Sequence, residues 1–238
     1  MARKGTRRAN ATVARQRSIQ KRTEARDASK PKKSPKKKPV QAGLRRQPVP
    51  PLPAQHLAKP GRESDLDPAP RFEAPDYRGS GKLDGNVAIV TGGDSGIGRS
   101  VAVLFAREGA DVAIIYLSED DDAEKTARHV RDEGRRCLLI RGDVKDAKFC
   151  RKAVAKTVRK LGPLHVLVNN AAFQEHAASI EELSDDQFDL TMRTNVYGYF
   201  NMAKAAVPHL RKGGSIINTG SETGIFGAGE LLDYSATK

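Results

Sequence analysis

Hydrophobic residues in the second half of the chain fall into five short runs. The runs are Val87–Thr91, Asp111–Tyr116, Cys137–Arg141, Leu164–Asn169 and 215–218. Their length suits strands that are buried on both faces of a sheet. Between the runs, apolar residues recur with the period of helices over 97–108, 121–133, 147–161 and 185–211. Strands alternating with helices predict an α/β fold with a doubly wound parallel sheet. Ser184 and Gln187 fit a capping box for the last helix.

Residues 1–46 break this pattern because basic side chains dominate them. They carry 17 Lys or Arg against Glu24 and Asp27, so they account for the whole formal charge of +13. With no aromatic residue they cannot bury enough apolar surface to offset their ordering entropy, so we predict a disordered tail. Contact with nucleic acid or another polyanion is one interpretation of this charge, and a solvated extension is the other.

Residues 47–82 connect the tail to a domain predicted at 83–238. The proline-rich stretch 48–53 predicts an extended linker, and residues 60–82, here called the lead-in arm, offer Phe72 and Tyr77 for packing. No run reaches the about 20 apolar residues of a membrane helix. Cys137 and Cys150 lack the spacing of a redox or metal motif, which indicates reduced thiols and a cytoplasmic location. The five scattered histidines predict no metal site.

A glycine-rich turn lies between the first strand and the first helix of the domain. Its residues are Gly92, Gly93, Asp94, Ser95, Gly96, Ile97 and Gly98. Such a turn lets backbone N–H groups approach a pyrophosphate at the positive end of a helix. Near the end of the sequence, Tyr234 and Lys238 are four residues apart. On a helix they would share one face, where the ammonium can lower the pKa of the phenol.

The turn spacing G-x-x-x-G-x-G, together with Y-x-x-x-K at 234–238, resembles the short-chain dehydrogenase/reductase family. From Pro60 to Lys238 the chain looks like the family's bacterial general-stress subgroup, described as glucose/ribitol-dehydrogenase-like. The resemblance implies a Rossmann-type domain and an NAD(P)-dependent oxidoreductase that moves a hydride between a nicotinamide and an alcohol or carbonyl compound. Two alternatives are an inactive nucleotide-binding fragment and a nucleic-acid-binding protein that uses the domain as a scaffold.

The resemblance also implies which residues act. Tyr234 would donate a proton to the carbonyl oxygen, and Ser221 would hydrogen-bond that oxygen. Lys238 would depress the pKa of Tyr234 and hold the nicotinamide ribose, and Asn195 would link Lys238 to solvent through a water molecule. The implied cofactor-binding residues are Gly92, Asp94, Ser95, Gly96, Ile97, Gly98, Tyr116, Asp143, Val144, Asn170, Ala171, Tyr234 and Lys238. For Asp143, which would contact the adenine, a helix N-cap is the alternative.

Two further expectations follow from the resemblance. Tyr116 stands where family members that prefer NAD place an acid, which favours NADP or use of both cofactors. Family members continue past the catalytic lysine, so we expect the chain to be truncated after Lys238. This chain alone would then be a poor catalyst, and the complete protein would be a homo-oligomer.

Overall fold

The five predicted strands form one parallel sheet in the computed structural model, which describes residues 2–28, 48–49 and 51–238. The strands are β1 (Val87–Thr91), β2 (Asp111–Tyr116), β3 (Cys137–Arg141), β4 (Leu164–Asn169) and β5 (Leu210–Asn218). Their order is β3-β2-β1-β4-β5, and every adjacent pair is parallel. The predicted doubly wound fold is therefore confirmed. Because the order reverses between β1 and β4, a crevice opens at their carboxyl ends.

Helices cover both faces of the sheet. They are α1 (Ala2–Asp27), α2 (Gly96–Arg107), α3 (Asp120–Asp132), α4 (Ala147–Leu161), α5 (Asp185–Met192), α6 (Gly198–Ala206), α7 (Thr223–Phe226) and α8 (Leu232–Ser235). Alternate residues of β1 divide the core in two. Ile89 packs in a cluster with residues of α4 and α6, and Val90 packs in a cluster with residues of α2 and α3. All five residues of β1 are buried, as expected for a central parallel strand.

The helix predicted over 185–211 is divided in the structure. After α5 the chain forms a wide π-helical turn at Arg193–Tyr197, and after α6 a 3₁₀ turn at Val207–His209 leads into β5. Pro208 lies in that 3₁₀ turn, and since it has no backbone N–H it favours the end of the helix there. Strand β5 therefore begins at Leu210, five residues before the predicted start, and its pairing with β4 contains an irregularity.

The predicted capping box forms only in part. Ser184 Oγ accepts a hydrogen bond from the Gln187 backbone N–H at 3.2 Å. The Gln187 side chain donates instead to the backbone carbonyl of Glu175 at 3.1 Å. The glutamine therefore fastens the loop before α5 to the helix, a contact that local sequence could not indicate.

The N-terminal segment differs from the expected disorder over residues 2–28. Helix α1 buries one stripe, with Val13, Gln16 and Ile19 at most 8% exposed, and Ile19 packs against Phe173 and Leu190. On its basic side, Arg15 binds the carboxylates of two acidic residues of α5. The domain thus supplies both the apolar surface and the countercharge that residues 1–46 lack by themselves. The rest of the predicted tail, 29–46, lies outside the described residues, and the boundaries 1–46, 47–82 and 83–238 stay predictions.

The lead-in arm packs on α2 and α3, as Phe72 and Tyr77 suggested. The Phe72 ring meets His129 edge-on with the ring centres 4.9 Å apart, and the Tyr77 hydroxyl donates to the carboxylate of Glu108. Deeper in the arm, Glu63 is buried and forms an ion pair with Arg99 of α2, whose side chain is completely buried. The arm is therefore fastened beside the glycine-rich turn.

Candidate functional site

A cavity of about 340 Å³ lies at the carboxyl ends of β1, β2 and β4. Most of the predicted cofactor residues line it, namely Gly92, Asp94, Ser95, Ile97, Tyr116, Asp143, Val144, Asn170, Ala171, Tyr234 and Lys238. Two predicted residues, Gly96 and Gly98, do not line the cavity, and neither do Ser221 and Asn195. The fold therefore brings the glycine-rich turn and the Tyr234–Lys238 pair to one crevice from opposite ends of the domain sequence.

Gly98 and Gly92 keep the glycine-rich turn compact. A Cβ on Gly98 would lie 1.9 Å from the carbonyl oxygen of Gly92, so no larger residue fits without moving the backbone. Gly92 itself has a φ of +62° and lies against Ala171. The Asn170 side chain donates to the carbonyls of Thr91 and Gly92, both at 3.2 Å, which ties the end of β4 to the turn.

The backbone N–H of Gly96 donates to the carboxylate of Glu63. This contact occupies one of the backbone N–H groups of the turn, which we expected to approach a pyrophosphate. A Cβ on Gly96 would meet nothing within 4 Å, but its φ of +53° strains any other residue. Glycine at this position is therefore required by the backbone conformation as well as by any ligand.

Lys238 is held by two groups that the motifs do not include. Its Nζ donates to the Tyr199 hydroxyl at 2.8 Å and to the Thr219 carbonyl at 3.0 Å. Burial lowers the pKa of Lys238 to about 8. Burial also raises the pKa of Tyr199, with a smaller contribution from Tyr234. The Lys238 Nζ lies 5.7 Å from the centre of the Tyr234 ring, so the two predicted partners are near each other but not hydrogen-bonded.

Ser221 and Asn195 lie beside the cavity with their side chains engaged elsewhere. The Ser221 Oγ accepts from the Thr223 backbone N–H at 3.2 Å, and the two hydroxyls are 2.9 Å apart. Asn195, in the π-helical turn, accepts from the backbone N–H of Phe173 at 2.8 Å and donates to its carbonyl at 3.0 Å. Its amide also donates to Thr237 Oγ1 at 3.0 Å. Asn195 thus fixes the residue next to Lys238, not Lys238 itself.

Asp143 has both carboxylate oxygens engaged within the chain. Oδ1 accepts from the Lys145 backbone N–H at 2.9 Å, and Oδ2 accepts from the hydroxyl of Thr12 in α1. The interpretation of Asp143 as an N-cap is wrong, because Asp146 caps α4 by accepting from the Lys148 N–H. No sequence motif predicted that α1 contacts this edge of the cavity.

Acidic groups also surround the carboxyl end of β2. Burial raises the pKa of Asp94 to about 6, and burial likewise raises the pKa of Glu119. The Tyr116 hydroxyl donates to the carboxylate of Asp120 at 2.8 Å, and burial followed by that hydrogen bond raises the pKa of Tyr116. The described residues contain no group of three or more His, Cys, Asp or Glu able to hold a metal ion. Within the same residues, no helix is long and apolar enough to cross a membrane.

Comparison with known proteins gives consistent matches. A family model described as short chain dehydrogenase matches residues 86–238. The uncharacterized oxidoreductase YhdF of Bacillus subtilis (strain 168) is 53% identical over 180 residues, which cover 76% of this chain and 62% of that protein. General stress protein 39 of the same organism is 50% identical over 188 residues, covering 79% of this chain and 66% of that protein. The chain therefore spans about two thirds or less of the length of these curated relatives.

Solved structures show the same architecture. The crystal structure of a short chain dehydrogenase from Burkholderia cenocepacia J2315 in complex with NADP superposes with a TM-score of 0.64 at 35% identity. The match covers 66% of this chain and 64% of that one. The expectation that further residues follow Lys238 stays a prediction.

Proposed function

Because the chain belongs to the short chain dehydrogenase family, we propose that it forms part of an NAD(P)-dependent oxidoreductase acting on an alcohol or carbonyl compound. The observation that carries this proposal is the meeting of the glycine-rich turn with Tyr234 and Lys238 around one cavity. The turn fits a dinucleotide because Gly92 and Gly98 keep its backbone close to the crevice without side chains. Asn170 and Ala171, which have short side chains, form a second wall of the cavity at the end of β4.

A bound nicotinamide would supply or accept the hydride, and the protein would manage the proton. Tyr234, at the cavity wall, would give the proton from its hydroxyl to the substrate oxygen. An ammonium has three N–H donors, and two of those on Lys238 are used by Tyr199 and the Thr219 carbonyl. The third is left for a ribose hydroxyl or for the Tyr234 oxygen. Below a pH of about 8 the ammonium is charged and can stabilise a phenolate.

The remaining two predicted catalytic residues have indirect support. Ser221 lies two residues before α7, and its hydroxyl would rotate from Thr223 toward a substrate oxygen, as the resemblance implies. Asn195 would act as a positioning residue, since it joins the segment at Phe173 to Thr237 beside Lys238. In this role Asn195 acts on Lys238 through Thr237, beside the water-mediated link that the resemblance implies.

The test is a Tyr234→Phe variant of the chain extended by a relative's C-terminal segment. It is compared with Tyr197→Phe in the same extended chain, which removes the hydroxyl of an exposed tyrosine outside the cavity. Oxidation of NADPH and NADH is followed with a panel of aldehydes and ketones, and binding of the reduced cofactor is measured by fluorescence. We expect Tyr234→Phe to lower turnover by about 10²-fold or more and leave binding unchanged, because general acid catalysis contributes about 10²–10⁴-fold.

Full turnover in Tyr234→Phe would show that the proton donor lies elsewhere. Cofactor binding without turnover in the extended chain would favour the inactive nucleotide-binding alternative. The nucleic-acid alternative has less support, since Arg15 and Arg22 of α1 pair with Asp186 of the domain.

We also propose that the complete protein is a homo-oligomer in the cytoplasm. Large apolar side chains are exposed along α5, the π-helical turn and α6, including Phe188 at 44%, Val196 at 44% and Phe200 at 58%. Exposed apolar side chains of this kind suit a subunit interface. The cysteines Cys137 and Cys150 are both free thiols, which fits a reducing compartment. Light scattering on the protein and on Phe200→Glu tests the assembly, since the charge should lower the mass.

A further inference from the structure

A second cavity of about 490 Å³ adjoins the first at the carboxyl end of β2. Its walls come from three separate parts of the chain, namely α1, the segment around the lead-in arm, and the ends of β2 and β3. Glu119 lines both cavities, so the two are neighbours at this side chain. In folds of this type the adenosine half of a dinucleotide lies at the end of β2, with its ribose 2′ position nearest to that strand.

Each cavity is lined by a residue with a buried polar atom that has no hydrogen-bond partner among the described residues. Gln16 of α1 is 5% exposed and lines the first cavity, and its Oε1 has no hydrogen-bond donor among the described residues. Arg141 at the end of β3 lines the second cavity, and its buried Nε has no acceptor within the same part of the chain. Because buried polar groups are nearly always paired, an open acceptor and an open donor here point to a ligand.

The second cavity is rich in guanidinium groups. Arg17 of α1, Arg62 of the lead-in arm and Arg141 face it, opposite the carboxylates of Asp65 and Glu119. Arg17 uses its Nε on the Lys59 carbonyl at 2.9 Å, which leaves its terminal nitrogens available. The other nitrogens of Arg141 bond to Asp120 at 2.8 Å and to Asn10 at 2.9 Å, which fixes the direction of the group. Guanidinium groups are the preferred protein partners of phosphate.

We propose that α1 and the lead-in arm complete the cofactor site and make it selective for NADP(H). Gln16 Oε1 accepts a hydrogen bond from the adenine amino group, and Arg17, Arg62 and Arg141 bind the 2′-phosphate. This inference rests on the proposed function and deepens it. It also gives Arg17 of the basic N-terminal segment a role, because its charge serves one phosphate of a small molecule rather than a nucleic acid backbone.

The adenosine half of the site can be tested without turnover by calorimetric titration of the 238-residue chain. The probes are 2′,5′-ADP, which carries the additional phosphate, and 5′-ADP, which lacks it. We expect 2′,5′-ADP to bind at least about tenfold more tightly, since charge-assisted hydrogen bonds are the strong ones. Arg62→Ala and Arg17→Ala should each lower the affinity for 2′,5′-ADP by about threefold and leave the affinity for 5′-ADP unchanged. Both side chains are exposed, so the variants should fold.

Arg128→Ala is the matched control, because it removes the same charge from an exposed position of α3 outside both cavities. Gln16→Leu should weaken both nucleotides by the same factor, which separates adenine recognition from phosphate recognition. Equal affinity for the two nucleotides, or a preference that survives the Arg17→Ala and Arg62→Ala double substitution, would overturn the inference. A preference for 5′-ADP that Glu119→Gln abolishes would overturn it in favour of NAD(H). Failure of both nucleotides and of NADH to bind would overturn the proposed function as well.

Discussion

Replacing Glu63 by alanine should loosen the lead-in arm and destabilise the domain. The Glu63 carboxylate accepts from Arg99, which is completely buried, and from the backbone N–H of Gly96. Each charge-assisted hydrogen bond contributes about 1.5–3 kcal/mol, and breaking a buried ion pair costs about 3–5 kcal/mol. Arg99 would keep its pair with Asp122 at 3.1 Å, which limits the loss. We therefore expect a loss of about 3 kcal/mol in the free energy of unfolding.

Urea denaturation followed by circular dichroism at pH 7 measures this loss. For a protein of this size, about 3 kcal/mol corresponds to a fall in Tm of about 6–12 °C. Glu73→Ala is the matched control, since it removes the same carboxylate from an exposed position of the same arm. Glu63→Gln keeps the hydrogen-bond acceptor without its charge and should lie between the two.

Trypsin cleavage after Arg62 reports whether the effect is local to the arm. If Glu63→Ala unfolds at the same urea concentration as the wild type and is cleaved no faster, the buried ion pair does not hold the arm. A double variant that also replaces Arg99 by methionine should not recover the stability, because it leaves the buried carboxylate of Asp122 without its guanidinium partner.

Three further outcomes can be measured. Gly98→Ala should destabilise the turn and abolish nucleotide binding in a titration, because its Cβ would meet backbone 1.9 Å away, whereas Gly229→Ala has open space and should change neither. The hydrogen bond from the Tyr77 hydroxyl lowers the pKa of the Glu108 carboxyl to about 2. The stability that the ionised carboxylate adds to the folded protein is therefore present above about pH 4.5 and is lost as the pH falls toward 2. Thermal melts of Glu108→Gln should therefore differ from the wild type at pH 6 and converge with it at pH 2. Turnover should fall as the pH rises through about 8, where Lys238 loses its charge, and a pH profile that is flat from 7 to 10 would contradict this assignment.

Most of the sheet could be predicted because parallel strands buried on both faces leave uninterrupted apolar runs. The limits of β1 to β4 match the predicted ones for this reason. Strand β5 does not match, since after Leu210 its next residues, from Arg211 to Gly214, are charged or small and exposed at the sheet edge. Pairing with β4, not an apolar run, makes those residues a strand. Edge strands of this kind lack the signal on which the prediction depends.

The N-terminal helix shows where counting charges is insufficient. Total charge over 1–46 indicated disorder, yet Ala9, Val13, Gln16, Ile19 and Thr23 recur every three or four residues and are all buried. That period was present in the sequence, and it predicts a helix with one interacting face. What the sequence could not show is the receiving surface, because the acids of α5 lie more than 150 residues away.

The catalytic motifs indicate which residues reach the crevice, but not what holds them there. Tyr234 and Lys238 line the cavity as their spacing implied, yet the ammonium is fixed by Tyr199 of α6 and the carbonyl of Thr219. Neither partner belongs to a motif, and every residue has a backbone carbonyl, so the sequence cannot indicate which carbonyl accepts from Lys238. Tyr234 lies in α8, which ends at Ser235, and Lys238 lies three residues beyond that end. Long-range packing of α6 against the end of β5 sets the environment that brings the pKa of Lys238 to about 8. A local motif therefore identifies the proton-handling groups, and the contacts that tune them come from the fold.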